Sequence, residues 1–320
     1  MRKIALVNQK GGCGKTTTAV NLSCCLAAEG KKVLLIDLDP QGHSALGLGI
    51  KPDCIEKSIY EVMLGDISAR EAILNVRENF NIICSDVVLS GFEQLMAGIP
   101  GREYKLTQGL QNIQNGYDFQ IIDCPPSVGL LTINGLLASS EVIVPVDPSC
   151  FSLDGVDKLI DTIRVIADKT GHRLLSKILP TNVDRRTRFC REIVANLRER
   201  YPGRYFHTII NTCTALREAA SMGKPLIEHN KHCIACRDFK GLTQEVLNMG
   251  RRKEVDTGDA EFLMASENSA MDRAARGFVF TLKAPEHKSV QIAGDFNDWV
   301  PEALDFRKAQ GLEVWHKEIP

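Results

Sequence analysis

"NQKGGCGKTTTA" (residues 8–19) is the stretch that decides the fold. An apolar run, "KIALVN" (3–8), precedes it, and an amphipathic one, "TAVNLSCCLAAEG" (18–30), follows. The order is therefore strand, glycine-rich turn, helix, which aims several backbone N–H groups and the positive end of a helix dipole at one anion. Gly11, Gly12 and Gly14 supply the backbone freedom, Lys15 a cation for the β- and γ-phosphates of a nucleotide, and Thr16 a hydroxyl for Mg2+. The candidate cradle runs over Lys10, Gly11, Gly12, Cys13, Gly14, Lys15, Thr16 and Thr17. It departs from the usual phosphate loop, G-x-x-x-x-G-K-[ST], at one end: Gln9 stands where the first glycine belongs, and a second lysine, Lys10, follows it.

Working outward, short β-branched runs alternate with helical patterns to about residue 250. "KVLLIDLD" (32–39), "FNIICS" (80–85), "FQIIDC" (119–124), "EVIVPV" (141–146), "LSKILPTNV" (175–183) and "FHTIIN" (206–211) read as strands. Several are apolar nearly throughout, as strands covered on both faces are. The stretches 18–30 and "DKLIDTIRVIADKTG" (157–171) read as crossover helices, each stopped by a glycine. This alternation predicts an α/β fold with a doubly wound, mostly parallel sheet, whose ligands bind at the carboxyl ends of the strands. Asp37 and Asp39 in "LLIDLDPQG" and Asp123 in "FQIIDCPPS" fall at such ends. Carboxylates there can hold a metal-bound water or orient an attacking one. Cys13 admits two readings, a thiol activated by the helix N-terminus or a residue of which only the backbone N–H matters.

"KGGCGKTTT", "LLIDLDPQG" and "IIDCPPS" resemble, in order and spacing, the deviant Walker A, A′ and B motifs of the ParA/Soj partition ATPases. The resemblance continues through "VPVDPSCFSLDGV" (144–156) and "ALREAASMGKPLIEHN" (215–230), covering about residues 1–250. It implies a P-loop ATPase that takes ATP and Mg2+, dimerises on ATP and hydrolyses it slowly, with stimulation by a ParB-like partner. It also implies that Lys10 reaches the nucleotide of the other subunit, which accounts for the lost glycine. Asp39 would then position the hydrolytic water, and Thr16, Asp37 and Asp123 would serve the magnesium directly or through water. The catalytic set is thus Lys10, Lys15 and Asp39.

Between residues 180 and 224 nine Arg/Lys face four acids, a local excess of +5 in a chain whose net charge is −1. Such a patch suits a phosphate backbone. The resemblance implies non-specific DNA binding, with Arg186 at the matching position; Arg185, Arg188 and Arg217 complete the candidate footprint. The alternative is an ordinary solvated helix face. "HNKHCIACRDF" (229–239) sets His229, His232, Cys233 and Cys236 at metal-ligand spacing. Structural thiols are the expectation; an ATP-gated iron–sulfur carrier or reductase is the alternative function.

The 320 residues, 44% hydrophobic and 25% charged, describe a globular chain with room for a large α/β domain and something smaller. No signal peptide or membrane span is expected, nor a terminal basic amphipathic helix of the kind that cycles on membranes. A cytoplasmic protein whose eleven cysteines are free follows, and the resemblance to the ParA/Soj ATPases implies that it associates with the nucleoid. Residues 251–276 read as a linker, and 277–320 as part of an all-β module. Its "AGDFNDW" resembles the glycogen-binding module of starch-branching enzymes, with Trp299 at a sugar-stacking position. The segments carrying that module's further sugar contacts are lacking, so recruitment to a polysaccharide and a docking role through an open sheet edge both stand as readings.

Overall fold

The computed structural model describes residues 1–149 and 152–252, together with five strand segments, 278–282, 291–292, 302–303, 305–309 and 312–319. Seven strands form one sheet: β1 (Arg2–Leu6), β2 (Val33–Asp37), β3 (Ile73–Arg77), β4 (Phe80–Ile83), β5 (Phe119–Asp123), β6 (Glu141–Val146) and β7 (Leu175–Pro180). Their spatial order is β3-β4-β2-β5-β1-β6-β7, parallel throughout except for β3, which runs antiparallel to β4 at the edge. The chain winds from β1 toward β2 and later returns to the other side of β1 with β6 and β7. The carboxyl end of β1 is thus the point where the winding reverses, the place a ligand crevice opens in such sheets.

Helices cover both faces. They are α1 (Lys15–Ala28), α2 (His43–Leu46), α3 (Ile59–Leu64), α4 (Phe92–Leu95), α5 (Lys105–Gly109), α6 (Leu130–Ala138), α7 (Ser152–Thr170), α8 (Arg188–Arg200), α9 (Thr214–Ser221), α10 (Leu226–His229) and α11 (Ile234–Arg252). Every residue of β2, β5 and β6 is buried, which is why those runs read as continuously apolar instead of alternating. Helix α1 stops at Gly30 (φ 74°) and α7 at Gly171 (φ 68°), left-handed positions that glycine occupies without a Cβ penalty.

Two local expectations differ from the structure. Strand β3 escaped the pattern because an edge strand with no fully buried residue carries little apolar signal. "FHTIIN" (206–211) is not a strand, although Phe206 N donates to Ile178 O at 2.8 Å and Ile210 N to Pro180 O at 2.9 Å. The intervening donors go elsewhere. Glu245 of α11 accepts from His207 N (2.9 Å) and Thr208 N (2.6 Å), and Asp238 accepts from Asn211 N (2.9 Å), so only isolated bridges form.

The chain divides into two compact units, Met1–Asn248 and Met249–Pro320. In the second, β8 (Phe278–Leu282), β11 (Asp305–Ala309) and β12 (Leu312–Ile319) form an antiparallel sheet in the order β11-β12-β8, and β9 (Gln291–Ile292) pairs with β10 (Glu302–Ala303). The expected linker lies, from 253 onward, outside the described residues, as do residues 293–299, which carry "AGDFNDW".

Candidate functional site

Beyond β1 the loop is fixed from three sides. Asn8 Nδ2 donates to Pro145 O at 2.6 Å, tying it to β6, and Thr181 Oγ1, just past β7, donates to Cys13 O at 2.7 Å. Lys15 Nζ bends back to donate to Lys10 O at 3.1 Å. Gly12 (φ 72°) and Gly14 (φ 88°) take left-handed backbone, and Gly14 leads directly into α1. At Gly11 and Gly12 a Cβ would meet nothing within 4 Å, so the loop faces open space, as an anion cradle must.

That space is a cavity of about 530 Å³. Its polar lining comes from Gly11, Gly12, Gly14, Lys15, Thr16, Thr17, Asp39, Gln41 and His43, and its apolar lining from Val20, Leu46, Leu216 and Ala219. Gln41, His43 and the α9 residues were missed from the sequence. The first two follow Asp39 directly in "DPQGHS", and Leu216 and Ala219 recur at helical spacing, so a signal existed. Lys10 does not line the cavity; its ammonium is turned to Asp147.

The carboxylates separate into two kinds. Asp37 and Asp123 sit opposite each other on paired strands, both fully buried, while Asp39 lies past the end of β2 and lines the cavity. Asp37 Oδ1 accepts from Asp39 N at 3.0 Å and Oδ2 from Ser44 N at 3.2 Å. Asp123 Oδ2 accepts from Ser44 Oγ at 2.9 Å, and the nearby Thr16 hydroxyl favours the charged form of this carboxylate. Asp123 Oδ1 has no protein partner. Burial raises both carboxyls, Asp37 further raised by Asp123, while the two hydroxyls partly oppose the rise at Asp123. Two buried carboxylates, an unsatisfied oxygen and the Thr16 hydroxyl fit a hard divalent cation and its waters.

Cys13 is fully buried beneath the loop, and desolvation raises its thiol despite Lys15. Of the two readings, the backbone one therefore fits. Cys236 N donates to Cys233 Sγ at 3.4 Å, burial raises both thiols, and His229 turns to Glu218 at 3.4 Å. Among the described residues no group of three or more His, Cys, Asp or Glu is placed to hold a metal ion. The ten described cysteines are free.

Arg185, Arg186, Arg188 and Arg217 are all exposed. The loop bearing the first two meets the segment before α9 through Val183 and Asn211. Arg186 pairs with Asp184 at 2.7 Å, and Arg188 with Glu192 at 2.6 Å. Arg198 stacks on Tyr205, Arg200 binds Asp157, and Arg191 Nη1 donates to Arg185 O at 3.0 Å. The paired Arg186 and Arg188 still keep 91% and 86% of their side chains exposed, against 53% for Arg200, so the amino-terminal end of the patch is the more open.

A family model described as "AAA domain" matches residues 1–176. The Soj sporulation initiation inhibitor of Bacillus subtilis is 37% identical over 249 residues, spanning 77% of this chain and 98% of that protein. The chromosome partitioning protein ParA of Myxococcus xanthus is 35% identical over 248 residues, 77% of this chain and 88% of its own. The chain belongs to the ParA/Soj family of partition ATPases. A crystal structure of cobyrinic acid a,c-diamide synthase from Mycobacterium smegmatis, with bound ATP analog and magnesium, superposes on this ATPase with a TM-score of 0.63 at 35% identity, covering 72% of this chain and 96% of that one. No described helix is long and apolar enough to cross a membrane.

Proposed function

We propose that the protein is an ATP-driven, dimerising ATPase that binds duplex DNA without regard to sequence and positions a chromosome, plasmid or other cargo, stimulated by a ParB-like partner. The observation that carries this is the gathering at one strand-end crevice of the two-lysine loop, the buried pair Asp37 and Asp123, and the cavity-lining Asp39. The loop N–H groups and Lys15 hold the β- and γ-phosphates of ATP. Thr16, Asp37 and Asp123 hold Mg2+, which when bound neutralises charge on the phosphate oxygens. Asp39 orients the attacking water. Lys10 serves the nucleotide of the second subunit, adding a cation where charge builds up in the transition state.

The exposed arginines at the start of α8, with Arg217, supply the DNA footprint in this reading. A dimer presents two such footprints, and each phosphate neutralised adds roughly −0.9 to the slope of log affinity against log salt. Gel shifts on two unrelated duplexes across a salt series, with and without ATP, test the proposal. Binding that needs ATP, falls steeply with salt and treats both duplexes alike is expected. Equal binding without ATP, or binding confined to one duplex, overturns it.

A further inference from the structure

Because β1 and β6 are neighbours, the loops that follow them meet. Asp147, just past β6, accepts from Lys10 Nζ at 2.7 Å through Oδ2, and Ser149 Oγ accepts from the same ammonium at 3.1 Å. Asn182, past β7, donates from Nδ2 to the other Asp147 oxygen at 3.3 Å. The lysine backbone is pinned as well: its N donates to Asn8 Oδ1 at 3.0 Å, and its carbonyl accepts from Lys15. Only the flexible stem of Lys10 is left to move. A lysine that works across a dimer must first leave this mooring.

We propose that Asp147 is a positioning residue for Lys10: with Ser149 it holds the ammonium within its own subunit, and dimerisation on ATP draws it off. The inference rests on the reading of Lys10 as the trans-acting lysine. The side chains of Lys10 and Asp147 are 46% and 22% exposed, so the ion pair is hydrated and its hold modest. A modest hold is reversible by a triphosphate, which offers more negative charge than one carboxylate. Charge is the quantity that matters, since Lys10 exchanges one anionic partner for another.

The test uses the full chain with Mg2+ and the analogue AMPPNP, reading dimers by light scattering across an analogue series. Asp147→Asn keeps the volume and a carbonyl for Asn182 while removing the charge. Its dimerisation midpoint should fall about two- to fivefold, the size of a half-exposed ion pair. AMPPNP affinity at protein concentrations too low for dimers should stay at the wild-type value. Raising salt should narrow the gap between the two proteins, because the pair it removes is screened. Ser149→Ala, which leaves the carboxylate, should shift the midpoint in the same sense by less. A midpoint at or above wild type in both variants, or an equal change in monomer affinity, overturns the proposal. Lys10→Ala separates the two levels. If it dimerises normally, the trans-acting reading falls and takes this inference with it; if it fails to dimerise while Asp147→Asn matches wild type, only the mooring falls.

Discussion

Asp37 and Asp123 face each other across one rung of the sheet with water excluded. Burial pushes Asp123 up to about 6, against about 4 for an unfolded aspartate. Between those values the native state holds more protons than the unfolded chain, so this contribution to stability is present below about pH 4 and lost as pH rises through about 6. In metal-free buffer the wild-type melting temperature, measured relative to that of Asp123→Asn, should therefore fall over this window. Mg2+ should restore the wild type and leave the variant unchanged; parallel melting curves at both ends of the window would show that the pair does not titrate there. Lys15→Ala should abolish ATP binding in calorimetry, since the loop then meets the phosphates without its central charge. The positions of these residues were legible because strand ends and a glycine turn announce themselves in sequence. The state of Cys13 was not, because desolvation depends on what the fold lays over it.

Helix α8 begins with a cap: Thr187 accepts from Cys190 N at 3.3 Å through its side chain. Thr187→Ala should cost about 1 kcal/mol of stability by thermal or urea melts, the usual worth of such a cap. Since the candidate DNA contacts flank this cap, the same variant should weaken DNA binding slightly. Replacing Arg186 and Arg188 by glutamate should weaken it strongly and equally on all duplexes, with AMPPNP-dependent dimers intact in light scattering. A loss confined to one sequence would count against backbone recognition. At this scale the sequence misled over "FHTIIN", where β-branched residues gave a strand pattern. The deciding partners, Asp238 and Glu245, lie more than 20 residues later on a helix face, and periodicity within six residues carries no trace of them.

For the whole molecule, the proposed function separates nucleotide binding from assembly and turnover. Lys10→Ala should bind ATP as a monomer yet neither dimerise nor hydrolyse, whereas Asp39→Ala should dimerise and persist because water is not activated. Light scattering with ATP, followed by phosphate release, reads both. A Lys10→Ala protein that assembles and turns over normally would remove the trans-acting role. The mostly parallel, doubly wound sheet and the placing of its crevice at strand ends were legible from the alternation of runs, while the order of the strands was not. The apolar wall of the cavity was not, because it joins α1 near residue 20 to α9 near residue 216, a closure that the fold alone brings about.

The clasp of Asp238 and Glu245 on residues 207–211, and the bond from Leu226 N to Asn21 Oδ1 at 2.8 Å, give that closure a direction in time. On a ribosome the phosphate loop emerges first, and the carboxylates that steady the segment leading into α9 emerge more than 220 residues later. A growing chain thus exposes its loop long before it possesses a nucleotide cleft. Synthesis of α11 therefore supplies the last of the side chains that steady the segment leading into α9, after every residue lining the cavity has been made.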